Sequence, residues 1–167
     1  MRKLPELAGP GFTKSGLIGS GALPGRRLLK GTKMTTEHMY KHSPWGAVQY
    51  QNSVIPGVVS VGTASHGGLK LSKERQAAMP DYMRCEGGWY EEDCDWAKVY
   101  AVFAVEIRRY YEAHPEDANT VHELRNLERV PDSLKNWHPE IYERFFYEQI
   151  PAGESYVREH QADFKVG

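Results

Sequence analysis

The chain has 167 residues, 40% hydrophobic and 26% charged, a composition typical of about one domain with a real core. The formal net charge of −1 gives no general attraction to nucleic acid or to an anionic membrane. Two cysteines are too few for a disulfide framework and predict a reducing, cytoplasmic setting, and no apolar run approaches the roughly 18 residues of a membrane span.

The first 33 residues differ in composition from the rest. They hold seven of the sixteen glycines and seven basic residues against one acidic residue, without helical or strand periodicity. Residues 34–167 are left with 14 basic and 21 acidic residues, a net charge of −7. We therefore predict a disordered basic leader over residues 1–33 and a single α+β domain over residues 34–167. The alternative role for the leader is an arm that binds the phosphates of nucleic acid.

A β-hairpin is predicted at the start of the domain. Residues 45–50 read as a short strand, and residues 58–65 read as a second strand. Pro56 and Gly57 are typical of the turn between them. The segment SHGG that follows is predicted as a turn, and Ser72 is placed to cap a short helix.

The strongest periodic signal predicts a long helix from about Tyr90 to Tyr111. Large apolar residues recur at spacings of 4, 3, 4 and 3 and form one stripe: Trp96, Tyr100, Phe103, Ile107 and Tyr110. Small residues form a second face beside it: Cys94, Ala97, Ala101 and Ala104 or Val105. A helix with two apolar faces is packed from two sides, so we predict that it is the central element. Its first turn would contain three acids that favour the positive end of the helix dipole: Glu91, Glu92 and Asp93.

More helix is predicted after Pro115. Residues 116–129 form one candidate, and a second begins with Pro139 at its first position. Residues 154–164 suit either a helix or a strand. The fold class expected is thus α+β, with a short β-hairpin or small antiparallel sheet packed on a long central helix and further C-terminal helices.

Common catalytic signatures are absent from the sequence. It contains neither GxSxG nor GxxxxGK[ST]. His122 and Glu123 begin an HExxH motif, but Asn126 occupies the second ligand position. Cys94 is a poor candidate nucleophile because Asp93 and Asp95 flank it and disfavour the thiolate. No role is assigned to Cys85, which has no nearby acid–base partner in the sequence.

One group of residues remains as a candidate site. It combines the end of a predicted strand with the start of the long predicted helix. If the hairpin packs on the helix, the imidazole of His66 meets helix-start carboxylates, which suits a general base or a metal site. The candidate catalytic residues are His66, Glu91, Glu92 and Asp95. The candidate ligand-binding residues are Gly67, Gly68, Trp89 and Tyr90. The metal or cofactor is left open.

A purely structural alternative accounts for the same residues. His66 would cap the turn, Gly67 and Gly68 would supply positive φ angles, and the acids would only stabilise the helix end.

Three segments, HSPWG, PGVVSVGTASHGGLKLS and GGWYEEDCDWAKV, resemble a domain family of unknown function found in bacteriophage and plasmid proteins. The similarity covers roughly residues 42–103, with a weaker likeness in NWHPEIYERFF and GESYV. The resemblance implies a bacterial or phage cytoplasmic context and an accessory role. It implies no reaction.

The sequence is therefore compatible with two functions. The first is a mobile-element accessory protein that binds a host or phage macromolecule, which would show an exposed apolar patch and no concave polar pocket. The second is a small metal-dependent or acid–base hydrolase of a nucleotide-like substrate, which requires His66 close to the carboxylates inside a cleft. The first is preferred on sequence alone because the motif search found no catalytic signature.

Overall fold

A computed structural model describes residues 40–161. The strands are β1 (His42–Ser43), β2 (Gly46–Ala47), β3 (Tyr50–Ile55), β4 (Val58–Gly62), β5 (Gly67–Leu71) and β6 (Trp89–Glu91). The helices are α1 (Lys73–Ala78), α2 (Trp96–Ala113), α3 (Thr120–Trp137), α4 (Pro139–Phe146) and α5 (Tyr156–Glu159), with short 3-10 turns at Asp81–Met83 and Glu86–Gly88. The α+β class is confirmed. The predicted leader, residues 1–33, lies outside the described residues.

Strands β3 to β6 form an antiparallel sheet in the order β3-β4-β5-β6, and β1 pairs with β2 in a separate two-stranded ladder. The predicted hairpin is confirmed: Ile55 pairs with Val58 across the Pro56–Gly57 turn, where Gly57 has φ 82°. Its first strand begins at Tyr50, where the predicted strand ends. The polar residues Gln51 to Ser53 are typical of a loop, but they pair with β4.

The sheet has two strands that the sequence did not predict. Gly67–Leu71 forms β5, although its first two residues were expected in a turn, and Trp89–Glu91 forms β6. The predicted start of the long helix near Tyr90 is wrong, because Tyr90 pairs with Leu69 and its side chain is fully buried. Glu91, Glu92 and Asp93 therefore do not lie in the first turn of that helix, and their expected interaction with its dipole is wrong.

Several other predictions about the helices are confirmed. The Ser72 hydroxyl accepts a hydrogen bond from Arg75 N at 3.2 Å and caps α1, and α2 ends at His114. Pro139 opens α4, and the C-terminal segment forms a short helix, α5. Helix α3 runs through Pro131 to Trp137 and is longer than predicted.

Helix α2 packs against both the sheet and α3, as its two apolar faces predict. Ile107 is fully buried, whereas Val105 is 49% exposed, so the second face is narrower than expected. The Tyr111 hydroxyl donates to Val54 O at 3.0 Å and joins α2 to β3. Within residues 40–161, no helix combines the length and the apolar character needed to cross a membrane.

Candidate functional site

His66 meets two carboxylates at one edge of the sheet. Each of His66, Glu91 and Glu92 has a potential ligand atom within 4.8 Å of the other two. The contact follows from antiparallel pairing: β5 begins just after His66, and β6 ends at Glu91 beside Gly68. Glu92 N extends the ladder by donating to Gly67 O at 3.1 Å. Strand pairing, and not the predicted helix start, brings the three side chains together.

In this trio, His66, Glu91 and Glu92, local hydrogen bonds order the backbone of His66 and the side chain of Glu91. Thr63 Oγ1 donates to His66 O at 2.8 Å and accepts from His66 N at 3.2 Å, which fixes the turn before β5. Glu91 Oε2 accepts from Asp93 N at 2.7 Å and from Cys94 N at 3.2 Å. One imidazole and two carboxylates are donors that suit a divalent metal ion, so the trio has the composition of a metal site with open positions.

The two glycines of β5 allow side chains to approach the backbone closely. Neither Gly67 nor Gly68 has a positive φ, so that part of the structural alternative is wrong. A Cβ atom added at Gly67 would lie 2.5 Å from Glu92 Oε2, and one added at Gly68 would collide with Tyr90 O and the Trp45 ring. The chain's own side chains thus fill the space over both glycines. A role for them in binding a ligand stays a prediction.

A cleft of about 480 Å³ opens beside the trio, between the sheet and helices α2 and α3. Its lining combines aromatic, acidic and basic side chains with parts of the strands: Tyr50, Ser60, Val61, Gly68, Leu69, Glu92, Asp93, Trp96, Tyr100, His122, Glu123, Asn126 and Arg129. Glu92 belongs both to the trio and to this lining. The metal-capable cluster therefore borders a concave polar pocket.

Helix α3 supplies one wall of the cleft with residues that were not predicted as site residues. His122, Asn126 and Arg129 are spaced by four and three residues and so lie on one helical face. Asn126 Nδ2 is 3.1 Å from His122 Nε2. The signal was present in the sequence as a polar stripe, but nothing in the sequence showed that this stripe faces Glu92 and Asp93.

A buried acid–phenol pair lies in the wall of the cleft. The Tyr100 hydroxyl donates a hydrogen bond to Glu123 Oε2, and both residues are buried. Burial raises the pKa of Glu123, and the hydrogen bond from Tyr100 only partly offsets this. Burial and the adjacent Glu123 carboxylate raise the pKa of Tyr100 as well. A buried carboxyl group with a raised pKa in a cleft is a candidate for proton transfer.

The raised pKa of Glu123 predicts a pH-dependent stability difference. The folded state holds the proton of Glu123 more tightly than the unfolded state does. This preference stabilises the fold fully at a pH below the pKa of Glu123 in the unfolded state, and the stabilisation is lost as pH rises through the pKa in the folded state. Gln at position 123 still accepts from Tyr100 but does not ionise. We expect the stability of Glu123→Gln relative to the parent to increase in urea unfolding as pH rises from about 4, near the ordinary pKa of an unfolded glutamate, into the neutral range. A difference that is constant over this range would contradict the burial effect.

Comparison with known families identifies the domain. The model of a family described as a domain of unknown function (DUF7007) matches residues 38–165. The chain belongs to this family. No curated protein matches the chain, and no solved structure matches it. The expected membership of a family of unknown function is thus confirmed, over a longer stretch than residues 42–103.

Three predicted site residues of the DUF7007 domain lie away from the trio. Tyr90 is fully buried, and its hydroxyl donates to Gln76 Oε1 at 2.8 Å. Trp89 packs edge-on against Trp45, with ring centroids 5.8 Å apart. Neither residue lines the cleft. Asp95 directly precedes α2, whereas Glu91 ends β6, so the two carboxylates do not share one helix start.

Asp95 belongs to a different group of side chains. Its Oδ1 lies 2.6 Å from Lys98 Nζ and 3.2 Å from His138 Nε2. Although burial opposes the effect, His138 and Lys98 hold the pKa of Asp95 well below its ordinary value. Lys98 Nζ is also 3.6 Å from Cys85 Sγ, so the view that Cys85 lacks an acid–base partner is wrong. Burial and nearby acids, Asp95 foremost, raise the pKa of Cys94 to about 11.

Proposed function

We propose that this DUF7007 domain is a divalent-metal-dependent hydrolase whose substrate is a small, nucleotide-like molecule that carries a phosphate group. The observation that supports this most is the position of Glu92, which belongs both to the trio and to the cleft. A metal held by the trio would therefore lie beside a pocket large enough for a small ligand, since ligand pockets are about 300–1,000 Å³ in volume.

The trio and the opposite wall of the cleft have complementary tasks in this proposal. His66, Glu91 and Glu92 would hold the ion through one nitrogen and carboxylate oxygens. When bound, a divalent ion supplies Lewis acidity toward a phosphoryl oxygen and makes a nearby water more acidic. Arg129 carries a permanent positive charge and a planar set of donors that matches a phosphate, and Asn126 adds an amide donor.

Aromatic and proton-transferring side chains complete the pocket. Tyr50 and Trp96 line the cleft, and aromatic side chains are suited to stacking on a flat base. Glu123 carries its proton to higher pH than an exposed glutamate because it is buried. We assign Glu123 the role of general acid toward the leaving group and Tyr100 the role of its positioning residue.

The proposal is tested by turnover measurements on the full chain. The protein is stripped of metal with EDTA and assayed with Mg²⁺, Mn²⁺ or Zn²⁺ on p-nitrophenyl phosphate, bis-p-nitrophenyl phosphate and a panel of nucleoside mono- and triphosphates. We expect hydrolysis of at least one of these phosphate esters only when metal is restored. A protein that is folded by circular dichroism and turns over none of them with any of the three metals would overturn the proposal.

A second candidate is an accessory protein of a phage or other mobile element that binds a host or phage macromolecule in a bacterial cytoplasm. The resemblance of the segments around HSPWG and SHGG to phage and plasmid proteins supports it, and it requires no catalysis. We rank it second because the described residues form a concave polar cleft, which a purely docking protein does not need. Nucleic-acid binding by residues 1–33 is part of this candidate.

A further inference from the structure

A second cluster of metal-binding side chains lies outside the trio. Cys94, Asp95 and His138 each have a potential ligand atom within 4.8 Å of the other two, and all three residues are half-buried. Two of them follow β6 in the chain, and the third separates α3 from α4. We propose that these residues bind zinc, or another thiophilic divalent ion, in a site that shares no ligand with the trio.

The fold holds these ligands on ordered backbone. Asp95 O accepts from Lys98 N at 3.0 Å in the first turn of α2. His138 N donates to Leu134 O at 2.8 Å, and His138 O accepts from Tyr142 N at 2.9 Å, so the histidine is fixed at both helices that it joins. A metal bound here would connect the end of the sheet to the C-terminal helices.

The distance between the Asp95 and His138 donor atoms fits a tetrahedral ion, and Cys94 Sγ lies within 4.8 Å of both. Zinc bonds of about 2.0–2.3 Å to nitrogen, oxygen and sulfur place tetrahedral donors about 3.3–3.8 Å apart. Asp95 Oδ1 and His138 Nε2 are 3.2 Å apart, close to this range. His138 Nε2 is also buried and makes no well-aligned hydrogen bond to any residue that the structure describes. A buried nitrogen without such a bond is available as a metal ligand.

The surrounding charges balance when the ion is present. Glu91 Oε2 lies 3.7 Å from Cys94 Sγ, and Lys98 Nζ lies 2.6 Å from Asp95 Oδ1. Zinc binds cysteine as the thiolate and displaces its proton. The charges of Glu91, Asp95 and the Cys94 thiolate are then matched by those of Lys98 and a divalent cation. When Oδ1 binds the ion, Lys98 can pair with the second oxygen of the Asp95 carboxylate instead.

Cobalt spectroscopy distinguishes this site from the trio. Co²⁺ substitutes for zinc, and a thiolate ligand produces a near-ultraviolet charge-transfer band that the nitrogen and oxygen donors of the trio do not produce. We expect this band when Co²⁺ is added to the reduced full chain, and its loss on addition of excess Zn²⁺. We also expect Cys94→Ser to abolish it and His138→Asn to weaken Co²⁺ binding by about a hundredfold or more.

Two variants serve as controls. Cys85→Ser removes the other thiol near Lys98 and leaves the proposed ligands in place, and Glu92→Gln alters only the trio. Both are expected to retain the band. The proposal would be overturned if the band is absent from the parent protein or if it persists in Cys94→Ser. Loss of the band in Cys85→Ser together with its persistence in Cys94→Ser would identify Cys85 as the thiolate ligand instead. Circular dichroism verifies that Cys94→Ser and His138→Asn are folded. If His138→Asn does not fold, Cys94→Ser alone still tests the proposal.

Discussion

Replacing Glu92 by glutamine is expected to lower metal-dependent kcat/KM by about a hundredfold or more, because it removes a proposed ligand of the ion and a charged side chain of the cleft. The change preserves the shape of the side chain but leaves a neutral amide that binds divalent ions poorly. Calorimetric titration of Mn²⁺ should show a matching loss of affinity. His66→Ala is expected to have an effect of similar size, since it removes the nitrogen ligand of the same site.

The matched control is Glu116→Gln, which makes the same chemical change at an exposed glutamate that does not line the cleft. Its turnover and metal affinity should equal those of the parent protein. If Glu92→Gln keeps full turnover and binds Mn²⁺ normally, the trio is not the metal site. If Glu92→Gln and Glu116→Gln lose activity equally, the effect is one of net charge and not of ligation.

The sequence predicted that His66 meets acidic residues, but for the wrong structural reason. Glu91, Glu92 and Asp93 precede a strongly periodic helix, and acids at that position are typical of a helix N-terminus. The three-residue strand β6 overrides this preference, because pairing with β5 buries Tyr90. So short a strand carries too little alternation to be recognised without its partner.

Other parts of the site depend on tertiary packing that periodicity does not encode. The polar face of α3 that contains His122 and Arg129 was visible as a stripe, yet only the packing of α3 against α2 brings it to the cleft. Pro139 is confirmed as the first residue of a helix, and His138 directly precedes it. The approach of His138 to Asp95, 43 positions earlier in the chain, joins two segments with no local relation. Local propensities predicted most of the elements, and long-range contacts determined the site.

The two glycines of β5 are expected to respond differently to alanine, because different groups lie over them. An added methyl group at Gly68 meets Tyr90 O, a backbone atom of the neighbouring strand, and the Trp45 ring. The backbone of β6 cannot move away without breaking the ladder. We expect Gly68→Ala to destabilise the domain by about 1–3 kcal/mol in urea unfolding, as overpacking does elsewhere.

A Cβ atom added at Gly67 would lie nearest to Glu92 Oε2, at 2.5 Å, which is the end of a flexible side chain. The next atom is Val61 O, at 3.0 Å. The carboxylate can swing away at little cost in stability, so we expect Gly67→Ala to lose less than about 1 kcal/mol. The displaced carboxylate leaves the trio, and Mn²⁺ affinity should fall about tenfold or more. Parallel unfolding and Mn²⁺ titrations of the two variants separate the effects. A Gly67→Ala protein with unchanged Mn²⁺ affinity would show that metal binding does not need Glu92 in its observed position.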